Sequence, residues 1–379
     1  MRPASRRRYA AVSLLALVLL TAGCTGGDDG DDPESGASSP TTATGEPSPS
    51  GSTSPTGEPS GEPSVAAPTT ALLDWQDAGA IGRDTVTVGD PWTVTVPDSG
   101  AKASADDGKR TVTVAAGKGR RVNDAILDDE RLLVVAQDKQ ESRPQLLTLV
   151  DLGSGKRSAV RAPEPATGGP VAFHDGLVAY ATTGPGGKYC VATYDVDGGH
   201  GEVGYCAPRR HGFSNLSISD EGIALMTFDA KRPVSCRSLV SMGDDGSTTP
   251  VRGVPSCSGW DVLLTADGGA VWSALPNEQQ VERGDFYATT GDSVTELGPG
   301  TTGTLTWCGG SAYFVRDAQK DVDKARLLRW TPEGTLEIVY ESPGEGEAFL
   351  TPPECSGDRI TVTAYGEGGD ERVWATVPA

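Results

Sequence analysis

One apolar run appears six times in this chain at a spacing close to 45 residues, and no other feature restricts the fold so much. The copies are RLLVVAQ from 131, GLVAYAT from 176, GIALMTF from 222, GAVWSAL from 269, SAYFVRD from 311 and RITVTAY from 359. Each follows a Gly/Asp turn: DDE, HDG, SDEG, ADGG, CGG or SGD. Before the turn lies a second short apolar segment, such as NDAIL, GPVAF, NLSI, WDVLL or TLTW. After the run come a polar loop, a third strand, a glycine turn and usually a fourth strand. Those later turns fall at Gly155, Gly198, Gly246, Gly291 and Gly334, again near the same period. Gly and Asp provide the positive φ angles that tight hairpins need. No long segment has helical periodicity, so the repeating unit is a four-stranded meander.

A meander of this length, repeated at this period, predicts an all-β propeller. Its inner strands read as unbroken apolar runs because blades stack on both of their faces. Six repeats are plain from residue 122 onward. Residues 84–116 add three clear strands and a weaker fourth, with a turn at Gly108 placed 47 residues before Gly155, which makes seven blades. Six blades, with 84–104 as an extra hairpin, is the competing count. The last repeat ends after ERVWATV and lacks a fourth strand; ALLDWQD from 71 is available to complete it. That pairing would join the chain ends and leave no open seam.

The cysteines follow the same frame. Cys190 and Cys206 are equally distant from Gly198, so they are expected to oppose one another across a hairpin, within disulfide reach. Cys236 and Cys257 are symmetric about Gly246–Ser247, a Gly-first pair that suits a type II′ turn. Cys308 and Cys355 occupy matching turns, WCGG and ECSG, one repeat apart, and are expected to join neighbouring blades. Three such pairs indicate an oxidising, extracytoplasmic compartment. A zinc site is the rival reading, and it fails on spacing: there is no CxxC, and the histidines are His174, His200 and His211.

The N-terminus, MRPASRRRYAAVSLLALVLLTAGC, has a basic start and an apolar run from Tyr9 to Leu20, too short to span a bilayer as a mature helix. LTAGC resembles the lipobox of bacterial lipoproteins, which implies lipidation of Cys24 and cleavage before it; Thr21 stands where that pattern prefers Leu. The expected organisation is a leader over 1–23, a lipidated tether over 24–70 and a propeller over 71–379. The tether is rich in Gly, Ser, Thr, Pro, Asp and Glu and repeats GEPS, so it cannot offset its ordering entropy. The chain carries a net charge of −20; without the leader's four arginines and the tether's eight acids the domain stands at −16. General acidity argues against nucleic acid as a partner and against adhesion to anionic lipid.

Leader, tether and repeat together resemble the uncharacterised lipoproteins of high-GC Gram-positive bacteria that carry WD40-like or TolB-like propellers. The resemblance implies a fold and a location on the outer face of the cell membrane, with the bilayer itself as partner through acylated Cys24. It implies no activity. GxSxG, a P-loop and HExxH are absent, and DVDGGHGE at 195–202 lacks the later carboxylates of a calcium loop. No catalytic residue, metal site or cofactor is therefore expected. Trp260, Trp272, Trp307, Trp330 and Trp374 lie in strands and read as blade-to-blade packing before a sugar-stacking platform. A candidate binding face gathers the second-to-third and fourth-to-first loops: Arg143, Lys188, Arg209, Arg210, His211, Asp229, Lys231 and Arg232. The expected function is a non-catalytic binding or scaffold module for a protein or wall polymer. The alternatives are a propeller enzyme acting on an extracellular carbohydrate or lactone, and a subunit of an envelope assembly.

Overall fold

The structure, a computed structural model, describes residues 63–229, 236–277, 279–319, 324–344, 347–367 and 369–378. Seven antiparallel sheets follow one another along the chain, so the ring has seven blades. Blade 1 is made of Thr85–Val88, Thr93–Val96, Lys102–Asp106 and Thr111–Ala115. The stretch that the six-blade count treated as a spare hairpin is thus a full blade. The recurring apolar run is the second strand of each later blade. In Leu177–Thr183, Ser311–Arg316 and Arg359–Tyr365 five consecutive residues are buried, because neighbouring blades cover both faces.

The innermost strands are Arg120–Asp128 in blade 2, Val171–His174 in blade 3, His211–Ser219 in blade 4, Gly259–Thr265 in blade 5 and Thr306–Cys308 in blade 6. In blade 7 Pro352 and Pro353 interrupt this strand, leaving Phe349–Leu350 and Glu354–Ser356, both paired with Arg359–Tyr365. Side chains of blade 4 bond the inner-strand carbonyls of blade 5 in regular succession. Asn215 Nδ2 donates to Trp260 O (2.9 Å), Ser217 Oγ to Val262 O (2.6 Å) and Ser219 Oγ to Leu264 O (2.8 Å). Donor and acceptor are 45 residues apart each time, so the repeat period is itself the contact that joins the two blades.

The ring closes as the sequence expects. Gln76–Asp77 is the outermost strand of blade 7 and runs antiparallel to Glu371–Thr376, with Gln76 opposite Trp374. The tether boundary needs correction. Residues expected to belong to the tether form two further edge strands: Ser64–Val65 pairs in parallel with Ser293–Thr301 of blade 5, and Thr69–Thr70 with Leu336–Glu341 of blade 6. The N-terminal strap therefore passes over the rims of blades 5, 6 and 7 before blade 1 begins. Its side chains there are exposed, and the pairing is made chiefly by backbone, with Ser64 Oγ 3.1 Å from Thr295 Oγ1 as a side-chain addition.

Three disulfides staple the blades. Cys190 and Cys206 are register partners, with Cα atoms 4.0 Å apart. One residue of bulge lies between them and the turn, and it supplies the offset from perfect mirror symmetry. Cys236 and Cys257 are bonded, but not as opposed strand residues. The fourth strand of blade 4 is only Thr248–Pro250, so Cys257 lies beyond it, beside the start of blade 5, in a left-handed conformation (φ 69°). The expected type II′ pair is also different: Gly246 closes the turn at φ 74°, and a Cβ there would lie 2.7 Å from the backbone of Gly204 in blade 3. Cys308–Cys355 links the innermost strands of blades 6 and 7.

Candidate functional site

The innermost strands of blades 2 to 7 surround a central cavity of about 320 Å³. The strand of blade 2 shows how its wall is built. A register shift between Val122 and Asp124 sets the phase, after which Asp124, Ile126 and Asp128 line the cavity, with buried Leu127 at its edge, while Ala125 is buried between blades. Glu354 enters from blade 7, immediately after the proline break. Asp124 and Glu354 thus meet across the ring from positions 230 residues apart in sequence.

Burial pushes both carboxyls above their ordinary range, and the negative charge of Asp124 raises Glu354 further. Asp124 accepts the backbone N–H of Ala125 (2.8 Å), which opposes the rise on that side. The two acids influence one another's titration, so their proton losses belong to the pair and not to either residue alone. At the end of the same strand burial also raises Asp128, opposed by His174 and by the N–H of Gly176. His174 Nε2 lies 2.6 Å from Asp220 Oδ1. Outside the cavity Asp261, 6% exposed, is pushed up to about 6 by burial although Ser273 Oγ and Gly303 N–H donate to it; it braces blade 5 against the turn that enters blade 6.

A second cavity, of about 220 Å³, adjoins the first. Trp307 lines both. Asp220, Glu221, Asp267 and Trp330 line the second. Neither lining contains a Lys or an Arg. Asp128, His174, Gly309 and Gly357 sit where inner strands turn into second strands, so these cavities belong to the face of first-to-second turns.

The candidate face drawn from sequence is the opposite one. Arg143, in the second-to-third loop of blade 2, is spent internally. Its guanidinium pairs with buried Asp138, and Nε donates to Asp138 Oδ1 at 3.0 Å. That bond, with the hydroxyl and N–H of Ser142, holds Asp138 far below the usual carboxylate range. Lys188 is exposed, and its carbonyl accepts the N–H of Gly184 (2.9 Å). Arg209 and Arg210 are exposed in a turn closed by His211 N–H to Pro208 O (2.9 Å), with Arg210 at φ 67°. His211 is the register partner of Asp229 across the first hairpin of blade 4. Lys231 and Arg232 lie outside the described residues, as does Cys24. The tryptophans divide. Trp272 is buried with Nε1 bonded to Thr289 Oγ1 (3.0 Å), and Trp260 and Trp374 each lie under an arginine. Trp307 and Trp330 instead border the cavities.

Among the described residues no group of three or more His, Cys, Asp or Glu is disposed to hold a metal ion. No helix of the described residues is long and apolar enough to cross a membrane. No family model and no curated protein matches this chain. Solved structures share its fold. A prolyl endopeptidase matches with a TM-score of 0.51 and 12% identity over 81% of this chain, which spans 49% of that enzyme, about half its length. The propeller domain of the Trilobed protease from Pyrococcus furiosus gives 0.50 and 11%, covering 80% of this chain and 96% of that one. An oligogalacturonate lyase in complex with manganese gives 0.50 and 16%, covering 83% and 99%. Such similarity establishes a propeller and leaves the chemistry to the site.

Proposed function

We propose that this chain is an extracytoplasmic binding propeller, anchored to the outer face of the cell membrane through acylated Cys24 and receiving its ligand in the central cavity. The observation that carries the reading is the cavity wall. Six inner strands deliver acids, a histidine and an indole into a space large enough for a small molecule or the tip of a partner chain, and no cation lines it. Three disulfides support an oxidising location. Capture from detergent-solubilised membranes under non-reducing conditions tests the site. The wild-type protein should retain a ligand or partner that the Glu354→Lys variant loses, because the new ammonium would occupy the acidic wall; equal recovery by both proteins would remove the cavity from consideration.

Anchoring has its own test. Cys24→Ala should move the protein from the membrane fraction to the medium and abolish palmitate incorporation, since the acyl chains are what hold it. Retention on the membrane without label would contradict the anchor.

A second reading is favoured by the Asp124–Glu354 pair. Two carboxyls with raised pKa values in one cavity suit general acid–base work, which fits an enzyme acting on an extracellular carbohydrate or lactone. Glu354→Gln separates the readings: a binding protein keeps its ligand unchanged in the wild type, whereas an enzyme converts it and the variant does not.

A further inference from the structure

We infer that the propeller lies with its second-to-third and fourth-to-first loops against an anionic bilayer surface, so that the cavity face points away from the membrane. The inference rests on the anchoring reading above and adds which face the anchor brings down.

The net charge of −20 conceals a division along the ring axis. The first-to-second and third-to-fourth turns of the seven blades carry fourteen Asp and Glu against three Lys and Arg. The loops of the opposite face, with the connection from the strap into blade 1, carry nine Asp and Glu against ten Lys and Arg among the described residues. Seven of those ten cations fall in five successive loops between residues 116 and 210, around blades 2 and 3, where the only acids are Glu141 and Glu164. Arg143 is held by Asp138. Lys118, Lys139, Arg161, Lys188, Arg209 and Arg210 are exposed and form no ion pair among the described residues. Distance decides which of these charges a bilayer feels. The faces are separated by the length of a strand, about 20 Å for the six residues of Leu146–Asp151, which is about two screening lengths at ordinary salt. A surface against the cationic arc is therefore screened from the acids of the far face, and the overall acidity does not govern the contact.

Apolar side chains choose a bilayer over a dissolved anion. Seven large apolar residues stand exposed among the described residues, and four of them lie on this face: Ile81, Leu146, Val281 and Phe349. Val65 and Leu72 belong to the strap and Val203 to the outer strand of blade 3, so the acidic face has none. Leu146 stands inside the cationic arc, at the start of its strand. Phe349 stacks on Tyr365, whose hydroxyl donates to Gly82 O beside Ile81 (3.4 Å). A dissolved polyanion has no use for such groups. A bilayer takes them into its interface while Lys and Arg meet its anionic headgroups. The contact is reversible on dilution, as single weak signals are, so it complements an acyl anchor and does not replace one.

The test is sedimentation of the full chain carrying Cys24→Ala, which removes any acyl anchor, with two kinds of vesicle: phosphatidylcholine alone, and phosphatidylcholine with phosphatidylglycerol in equal parts. The protein should partition onto the anionic vesicles about tenfold or more in preference to the neutral ones. Lys139→Glu, Lys188→Glu and Arg209→Glu together should lower that partitioning by about a hundredfold, at about fivefold for each cation lost. Leu146→Ser should lower it by about fivefold. Glu221→Lys, Asp244→Lys and Asp358→Lys change the net charge by as much on the far face and should leave partitioning within about twofold. All these positions are exposed, so each variant should melt with the parent chain. Equal binding to both vesicles, or binding to neither, would overturn the docking. A far-face variant bound about tenfold more tightly would show that net charge governs and that the faces are not distinguished. Long-chain polyphosphate, held as tightly as the anionic vesicles and unaffected by Leu146→Ser, would assign the arc to a dissolved polyanion and overturn the bilayer. The anchor fails separately, when the wild type takes up no palmitate, a result that vesicle binding by the Cys24→Ala chain leaves untouched.

Discussion

A chain beginning at residue 79 will fail to form a cooperative monomer. Without the strap blade 7 loses its outer strand, and the edge of Glu371–Thr376 is left bare for pairing with other chains. The lost interactions are specific. Ala71 and Leu73 N–H donate to Ile338 O (3.0 Å) and Val339 O (3.1 Å), and Ala78 N–H to Arg372 O (2.9 Å). Trp75 Nε1 donates to Val339 O (2.8 Å), and its ring stands edge-on to Tyr340 with centroids 5.0 Å apart. At about 1 kcal/mol for each hydrogen bond and about 2 kcal/mol for the indole, the loss approaches the whole stability of an ordinary domain. A point substitution reports on the same latch. Arg372 is 2% exposed, and its guanidinium binds Ala80 O (3.0 Å) and Asp84 O (2.7 Å), holding the strap's exit to blade 7. Arg372→Ala should destabilise by about 3 kcal/mol, since it removes a buried guanidinium together with its bonds to two carbonyls and its pair with Asp84. Size-exclusion chromatography and thermal melts check both variants. A truncated chain that stays monomeric with an unchanged melting temperature would show that the strap is ornament.

The fold was legible because a propeller writes itself seven times. Every blade needs the same buried second strand and the same turns, so the 45-residue period survives local noise. What escaped is what the repeat does not encode. The edge strands Ser64–Val65 and Thr69–Thr70 bury no side chain, and backbone pairing leaves no composition signal. Cys257 was placed by symmetry about a turn, but blade 4 ends its fourth strand early and the bridge is made by a loop.

The site escaped for a different reason. Asp129, Asp175 and Asp267 adopt left-handed φ values of 51°, 43° and 60°, which fully explains an acid in a first-to-second turn. Asp128, His174 and Asp220 stand beside such turns, and their chemistry was absorbed into the turn signal. Glu354 sits in PPECSG, where the cysteine drew attention. Its meeting with Asp124 depends on ring closure, which no local spacing reports. The exposed Arg and Lys of the other face were the visible alternative, yet Arg143 shows that a loop cation can be a brace for a buried acid.

Glu354→Gln will make the protein more stable above neutral pH and flatten its pH profile. The folded state holds the Glu354 carboxyl up to about 8, whereas its ordinary value is 4.5. Between those two values the unfolded chain has released a proton that the folded chain still binds. Stability therefore falls as pH rises through this window and levels off above it. Asp124, Asp128 and Asp261 are raised in the same direction by burial and add to the slope at its acidic end. The wild-type melting temperature should thus drop by several degrees between about pH 5 and pH 9, opposite to the usual loss on acidification. Gln keeps the shape and removes the ionisation, so the variant should match the wild type near pH 5 and exceed it by several degrees near pH 9. Asp124 then loses the neighbour with which it titrates, and the remaining slope should move toward lower pH. A variant that tracks the wild type at every pH would mean that Glu354 meets bulk water in the folded ring, and burial would not be what raises its pKa.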